Sequence, residues 1–113
     1  MVAQSIAFMY APEGAWVKDK DAPLAIDAPP PMSEAVAAVV DLETQVLEAG
    51  GIVLRYGYFY GPGTQFGPDG FSAELARKRQ LPVIGSGDAC WSVIHVDDAA
   101  AATVAALEQG SSG

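Results

Sequence analysis

The chain has 113 residues, half of them hydrophobic, with fourteen acidic and six basic side chains and a formal net charge of −8 at pH 7. That length accommodates one domain around one hydrophobic core, and the hydrophobic content excludes an intrinsically disordered chain. The shortage of Lys and Arg excludes nucleic acid as a partner and disfavours anionic membranes, because both are bound through surplus positive charge.

Cysteine and histidine are too scarce for several kinds of site. Cys90 and His95 are the single residues of their types, so an internal disulfide is excluded, and a zinc or iron–sulfur site would need carboxylates or a second subunit. We therefore expect no metal. The N-terminus shows no basic stretch ahead of an apolar one, and no apolar run approaches the length of a membrane span. We expect a cytoplasmic protein.

The first half of the chain is predicted to contain a strand, a long loop and a helix. Residues 2–9 are apolar and aromatic, which is typical of a buried strand. Residues 10–31 hold five of the eight prolines, and proline interrupts both helices and central strands, so a long loop is predicted there. Ser33 is the expected N-cap of a helix over residues 35–49, which has apolar side chains at helical spacing and ends at a pair of glycines.

The second half is predicted to add strands and two helices. Residues 52–60 give the strongest strand pattern in the chain and stop at a Gly-Pro-Gly sequence. The remaining predicted elements are a helix over 71–80, a strand over 81–84, a turn over 85–87, a strand over 91–96 and a helix over 98–109. Asp97 is the expected N-cap of the last helix, which is apolar on most sides and is therefore expected to be well buried.

Strands that alternate with helices predict an α/β fold with a small parallel or mixed sheet and flanking helices. In such folds function lies at the carboxyl ends of the strands. We expect residues 1–110 to form a single domain and residues 111–113 to be an appended tail.

Three segments, in this order and spacing, resemble one known family. Residues 4–10 read Gln-Ser-Ile-Ala-Phe-Met-Tyr, residues 55–63 read Arg-Tyr-Gly-Tyr-Phe-Tyr-Gly-Pro-Gly, and residues 85–98 run from a Gly-Ser-Gly turn to His-Val-Asp-Asp. Together they resemble the C-terminal half of an extended short-chain dehydrogenase/reductase of the NAD-dependent epimerase/dehydratase type, a Rossmann-like fold, in its atypical branch.

The resemblance implies a cofactor and a set of site residues. The cofactor is NAD or NADP, and its nicotinamide side is implied to lie against Phe59, Tyr60, Gly61 and Pro62. The implied substrate contacts are Tyr58 and Trp91, and the residues to examine for any surviving catalysis are Ser5, Tyr10, His95 and Tyr60.

The chain departs from the family's pattern where the chemistry is done. Aligning the family's helix glutamate with Glu43 puts Ala35 and Val39 where the family has the Tyr and Lys of Tyr-x-x-x-Lys, and no such sequence occurs in the chain. That lysine lowers the pKa of the phenol so that it can exchange a proton as hydride moves. Trp91 stands where the family has a phosphate-gripping Arg, which argues against a nucleotide-sugar substrate. The Gly-rich dinucleotide turn is also missing, and residues 61–67 are interpreted as an ordinary turn.

Several side chains have both a functional and a structural interpretation. Tyr56, Tyr58 and Tyr60 alternate along one predicted strand, so they are expected to share a face, as a pocket wall or as packing under a loop. His95 suits acid–base chemistry, but its place between strand and helix favours a structural role. Lys18 and Lys20 lie in the long loop, where they either replace the missing lysine, hold an anionic substrate or are solvated, and their position in a loop favours the solvated interpretation.

The sequence therefore gives two functional hypotheses. The first is a truncated homologue of an NAD(P)-dependent epimerase, dehydratase or reductase, whose isolated chain binds little or no NAD(P)H and lacks the family's normal catalysis. The alternative is a non-enzymatic, homodimeric small-molecule-binding or assembly module. Its basis is the uncharged segment 2–9, because an uncharged sheet edge pairs readily with another chain.

Overall fold

A computed structural model describes all 113 residues and shows two small parallel sheets with helices packed around them. The helices are α1 (Met32–Glu48), α2 (Phe71–Arg77) and α3 (Val96–Gln109), with a 3₁₀ turn at Ala7–Met9. The strands are β1 (Val2–Ile6), β2 (Ile52–Tyr56), β3 (Tyr58–Tyr60) and β4 (Val93–His95). The predicted α/β class with a small parallel sheet is confirmed.

The first sheet joins β1 and β2 in parallel, with Val2 opposite Ile52 and Ile6 opposite Tyr56. The second sheet pairs β3 with β4, also in parallel. Helix α1 packs on β1 and β2, and α3 contacts all four strands. Adjacent residues of β2 use the two faces of the first sheet: Arg55 bonds Glu43 of α1, while Tyr56 bonds Ala99 of α3. The two helices therefore cover opposite faces.

The strand predicted over residues 52–60 is interrupted at Gly57. The Tyr58 amide there donates to the Ser92 carbonyl at 2.9 Å, and a Cβ at Gly57 would collide with that same carbonyl. The interruption also breaks the alternation of side chains. Tyr56 and Phe59 are in ring contact at 5.7 Å, although residues three apart in a continuous strand point to opposite faces. The prediction that Tyr56, Tyr58 and Tyr60 share one face is therefore wrong.

Three helix predictions also need correction. Helix α1 begins at Met32 with Pro31 before it and no side-chain cap, so Ser33 is a residue of the first turn and not the N-cap. The cap of α3 is His95, which accepts from the Asp97 amide, and not Asp97 itself. Helix α2 ends at Arg77, three residues before the predicted end.

Residues 81–84 form no strand, and Ile84 is 87% exposed. Strand β1 ends at Ile6, where the chain turns into the 3₁₀ segment, and β4 is confined to three residues. The loop predicted over residues 10–31 is observed, tied to the 3₁₀ turn by the Ala25 amide, which donates to the Met9 carbonyl.

The hydrophobic core is small. Ten of 113 residues are buried, and Val36 of α1 is the largest side chain that is fully so. Helix α3 was expected to be well buried, but only its Ala99 is, while Val104 and Leu107 are 52% and 64% exposed. The expectation failed because an apolar helix is buried only where another element covers it, and the short strands cover one side of α3 alone. Residues 111–113 lie along β2, where the Val53 amide donates to the Gly113 carbonyl at 2.9 Å.

No helix of the chain has the length and apolar character needed to span a membrane.

Candidate functional site

A hydrogen-bonded network joins the first sheet, α1 and the long loop. Arg55 of β2 grips the Glu43 carboxylate with two bonds, Nε to Oε1 at 2.8 Å and Nη2 to Oε2 at 2.6 Å. The Ser5 hydroxyl of β1 donates to the same carboxylate at 2.5 Å. Arg55 Nη1 reaches the other way, donating to the Tyr10 hydroxyl at 3.0 Å and to the Lys20 carbonyl at 2.9 Å. The network therefore fixes the start of the loop against the sheet.

Both charged groups of the network, the Glu43 carboxylate and the Arg55 guanidinium, are largely shielded from water. Hydrogen bonds from Arg55 hold the pKa of Glu43 below its ordinary value; burial opposes this shift, and the Ser5 hydrogen bond adds to it. The same pairing raises the pKa of Arg55 above its already high ordinary value. Glu43 is therefore a carboxylate and Arg55 a cation throughout the neutral range, so this pair positions groups and does not exchange protons.

An aromatic cleft opens beside Tyr10 of the network. It has a volume of about 610 Å³ and lies where β1 passes into the 3₁₀ turn and the loop. Phe8 stacks on Tyr58, with ring centroids 4.6 Å apart and planes 13° apart. The Trp91 ring contacts the Tyr58 ring at a centroid distance of 4.9 Å. The cleft is lined by Ala7, Phe8, Tyr10, Ala11, Pro12, Gly14, Ala15, Trp16, Lys18, Tyr58, Cys90, Trp91 and Ser92. Its volume is that of a small-molecule site.

A smaller cluster lies at the end of the second sheet. The His95 ring meets the Tyr60 ring edge-on at 5.1 Å, and its Nδ1 accepts from the Asp97 amide at 3.2 Å to cap α3. Gly61 follows with φ +115°, and a Cβ there would come within 2.6 Å of His95 Nε2. The role assigned to His95 by its position, tying the strand to the helix, is therefore observed.

The structure brings together some of the predicted site residues and separates others. Tyr58 and Trp91 meet in the aromatic cleft, and Tyr10 lines it as well. Ser5 is linked to Tyr10 only through Glu43 and Arg55, and it is 4% exposed with its proton committed to Glu43. The remaining predicted residues, His95, Phe59, Tyr60, Gly61 and Pro62, lie outside the residues that line the cleft.

The loop after β3 does not fit a dinucleotide phosphate. A phosphate cradle needs backbone amides that point at the ligand. Here the amides of Thr64, Gly67 and Gly70 donate in turn to the carbonyls of Gly61, Thr64 and Gly67. The interpretation of residues 61–67 as an ordinary turn is therefore confirmed. The Ser72 amide in the first turn of α2 donates to the Gln65 carbonyl, so these four amides are not available to a phosphate.

Sequence reasoning missed the central pair. Glu43 served only to align the helix and Arg55 only as the first residue of a motif, while the structure makes each the partner of the other. A signal for the pair exists, because an arginine inside an apolar strand and a glutamate on the apolar side of a helix both need a buried partner. Phe8 likewise has no functional signal in the sequence, where it lies in a segment that predicts only a strand.

The comparisons with known proteins agree with the resemblance. The model of the NAD dependent epimerase/dehydratase family matches residues 31–113. A 3-diazoavenalumate denitrifying reductase from a Streptomyces species is 47% identical over 116 aligned positions, which cover all of this chain and 38% of the relative. The chain thus spans well under half the length of the curated relative it matches. No solved structure is matched.

The match covers most of the chain, and it includes the Arg55 strand, the His95 junction and the helix that carries Glu43. This chain belongs to the NAD-dependent epimerase/dehydratase family.

Proposed function

We propose that this chain is the substrate-side part of an NAD(P)-dependent reductase and that, by itself, it does not hold the dinucleotide. The observation that carries the proposal is the aromatic cleft at the carboxyl end of β1, beside the Tyr10–Arg55–Glu43 network. Parallel α/β folds bind their ligands at that end of the strands. The family uses NAD(P), but in the loop after β3 the amides of Thr64, Gly67 and Gly70 already donate to carbonyls of the same loop.

The absence of Tyr-x-x-x-Lys suits one class of reduction. The relative's name describes removal of nitrogen from a diazo compound by a reductase. Replacing a diazonium group by hydrogen consumes one hydride: the C–N bond breaks, N₂ leaves with that electron pair, and the hydride's pair forms the C–H bond. No proton is taken up, so the acid–base pair that carbonyl reduction requires is dispensable. The residues of this chain would bind and orient such a substrate.

The test is an exchange of segments. This chain replaces the matching segment of the Streptomyces reductase, to which it is 47% identical. We expect the chimera to retain reductase activity on the relative's own substrate. Circular dichroism first establishes that the chimera is folded, and a folded chimera without activity contradicts the proposal.

A second function, a homodimeric binding or assembly module, is favoured by one observation. Strand β1 pairs only with β2, and no residue of Val2–Ile6 has a charged side chain. An edge of this kind invites pairing with a second copy. Multi-angle light scattering at micromolar concentration distinguishes the two functions: a dimer supports the module, and a monomer contradicts it.

A further inference from the structure

We infer that the aromatic cleft binds a planar aromatic carboxylate, with the ring against the tryptophans and the carboxylate on Lys18. The inference rests on the proposed function, because it names the substrate class of the same site.

The charge of the cleft is opposite to that of the chain. The chain has fourteen acidic residues and a net charge of −8, but none of the thirteen residues that line the cleft is acidic. Lys18 is the one charged side chain among them. An ammonium in a cleft without carboxylates favours an anionic ligand group.

Lys18 is also free to bind such a group. The two other lysines form salt bridges, Lys20 with Asp21 at 3.1 Å and Lys78 with Glu74 at 2.6 Å, whereas Lys18 forms none. Its Nζ donates to the Glu13 backbone carbonyl at 2.5 Å, which uses one of three hydrogens and orients the ammonium. Two hydrogens therefore stay available for a carboxylate.

The rings of the cleft present flat apolar surface that the protein does not cover. Trp16 is 85% and Trp91 59% exposed, while Trp91 packs on Tyr58, which in turn stacks on Phe8. Exposed indoles gain most from stacking on another flat ring, which adds to the burial of apolar area. A ligand with a flat ring and a carboxylate would stack on the indoles and accept hydrogen bonds from Lys18.

The experiment is calorimetric titration of the full chain with cinnamate, which we expect to bind with a dissociation constant of about 0.1–1 mM. Two matched probes separate the contributions: cinnamyl alcohol keeps the ring without the charge, and sorbate keeps the planar carboxylate without the ring. We expect both to bind at least about fivefold more weakly. Equal affinity for all three, or no binding of cinnamate, overturns the inference.

The cinnamate affinities of substituted chains test whether the ligand binds in the cleft. Lys18→Met is expected to weaken cinnamate binding about tenfold and Trp91→Leu about fivefold. The controls Lys78→Met and Phe71→Leu change an exposed lysine and an exposed ring outside the cleft, and they should leave the affinity unchanged. Unchanged binding in Lys18→Met, or an equal loss in Lys78→Met, overturns the inference.

Alkylation of Cys90 gives a readout of location. This thiol is exposed, lines the cleft and is the chain's single cysteine. Cinnamate should slow its reaction with iodoacetamide, and an unchanged rate at saturating cinnamate contradicts binding in the cleft. If cinnamate does not bind in the cleft but the chimera is active, the ligand inference is wrong and the reductase proposal stands. If cinnamate binds but the folded chimera is inactive, only the reductase proposal is wrong.

Discussion

Arg55 and Glu43 lie on different elements, strand β2 and helix α1, and their side chains meet in two parallel hydrogen bonds of 2.8 and 2.6 Å. This geometry gives the guanidinium–carboxylate pair directional strength. Ser5 donates to the same carboxylate from β1, so one glutamate holds both strands of the first sheet to the helix. The pair and Ser5 therefore link β1, β2 and α1 in a chain that buries only ten residues.

Removing the carboxylate charge tests the share of stability that depends on the pair. Glu43→Gln leaves Arg55 partly buried without its counter-charge, and we expect the free energy of unfolding to fall by about 2 kcal/mol. Glu48→Gln, an exposed change on the same helix, should stay within about 0.5 kcal/mol of the parent. Urea denaturation measures both. Equal effects of the two substitutions would show that the pair has no special role.

The lowered pKa of Glu43 predicts a pH dependence of defined sign. A carboxyl whose pKa is lower in the folded state than in the unfolded state stabilises the fold fully above the unfolded value, which is ordinarily 4.5. This stabilisation is lost as the pH falls from there through the folded pKa. Urea midpoints measured downward from pH 7 should therefore fall more steeply for the parent than for Glu43→Gln below about pH 4.5. Parallel profiles would contradict the assignment.

The turn that follows β3 depends on a glycine packed against the His95 ring. Gly61 has φ +115°, and an added Cβ would strike the His95 ring, whereas Gly63 has φ +79° and open space around it. Gly61→Ala should therefore cost about 2 kcal/mol or more, and Gly63→Ala about 1 kcal/mol, the cost of its backbone conformation alone. Thermal unfolding of the two variants compares them. A larger loss in Gly63→Ala would contradict the packing described for His95.

The N-cap of α3 is an imidazole nitrogen. His95→Ala removes the acceptor for the Asp97 amide and should lower the free energy of unfolding by about 1 kcal/mol. His95→Asn restores a side-chain acceptor at the same position and should recover much of that loss. Chemical denaturation followed by helical circular dichroism provides the measurement. If asparagine is no better than alanine, the capping role is wrong.

The outcome for each sequence prediction follows from the range of the interaction behind it. The glycine pair after α1, the loop of residues 10–31 and the turn after β3 were predictable because turn chemistry is local. The break at Gly57 was not, because it depends on the carbonyl of Ser92, thirty-five positions along the chain. The exposure of α3 was not predictable either, because hydrophobic periodicity identifies an apolar face but not what covers it.

The candidate site divides in the same way. Tyr58 and Trp91 were identified by their motif positions, and the structure places them in contact. The place of Phe8 and Lys18 in the cleft could not be predicted, because no spacing in the sequence links residues 8, 18, 58 and 91. These residues meet only when the loop folds back beside β1.

The central claim is that this chain holds an aromatic carboxylate and does not hold the dinucleotide. A ¹⁵N–¹H spectrum of the labelled chain tests it, because its two indole signals belong to Trp16 and Trp91 of the cleft. Cinnamate should shift both indole signals, and NADPH should leave the amides of residues 61–70 unmoved. Saturable shifts of those amides at micromolar NADPH, or indole signals indifferent to cinnamate, would contradict the account.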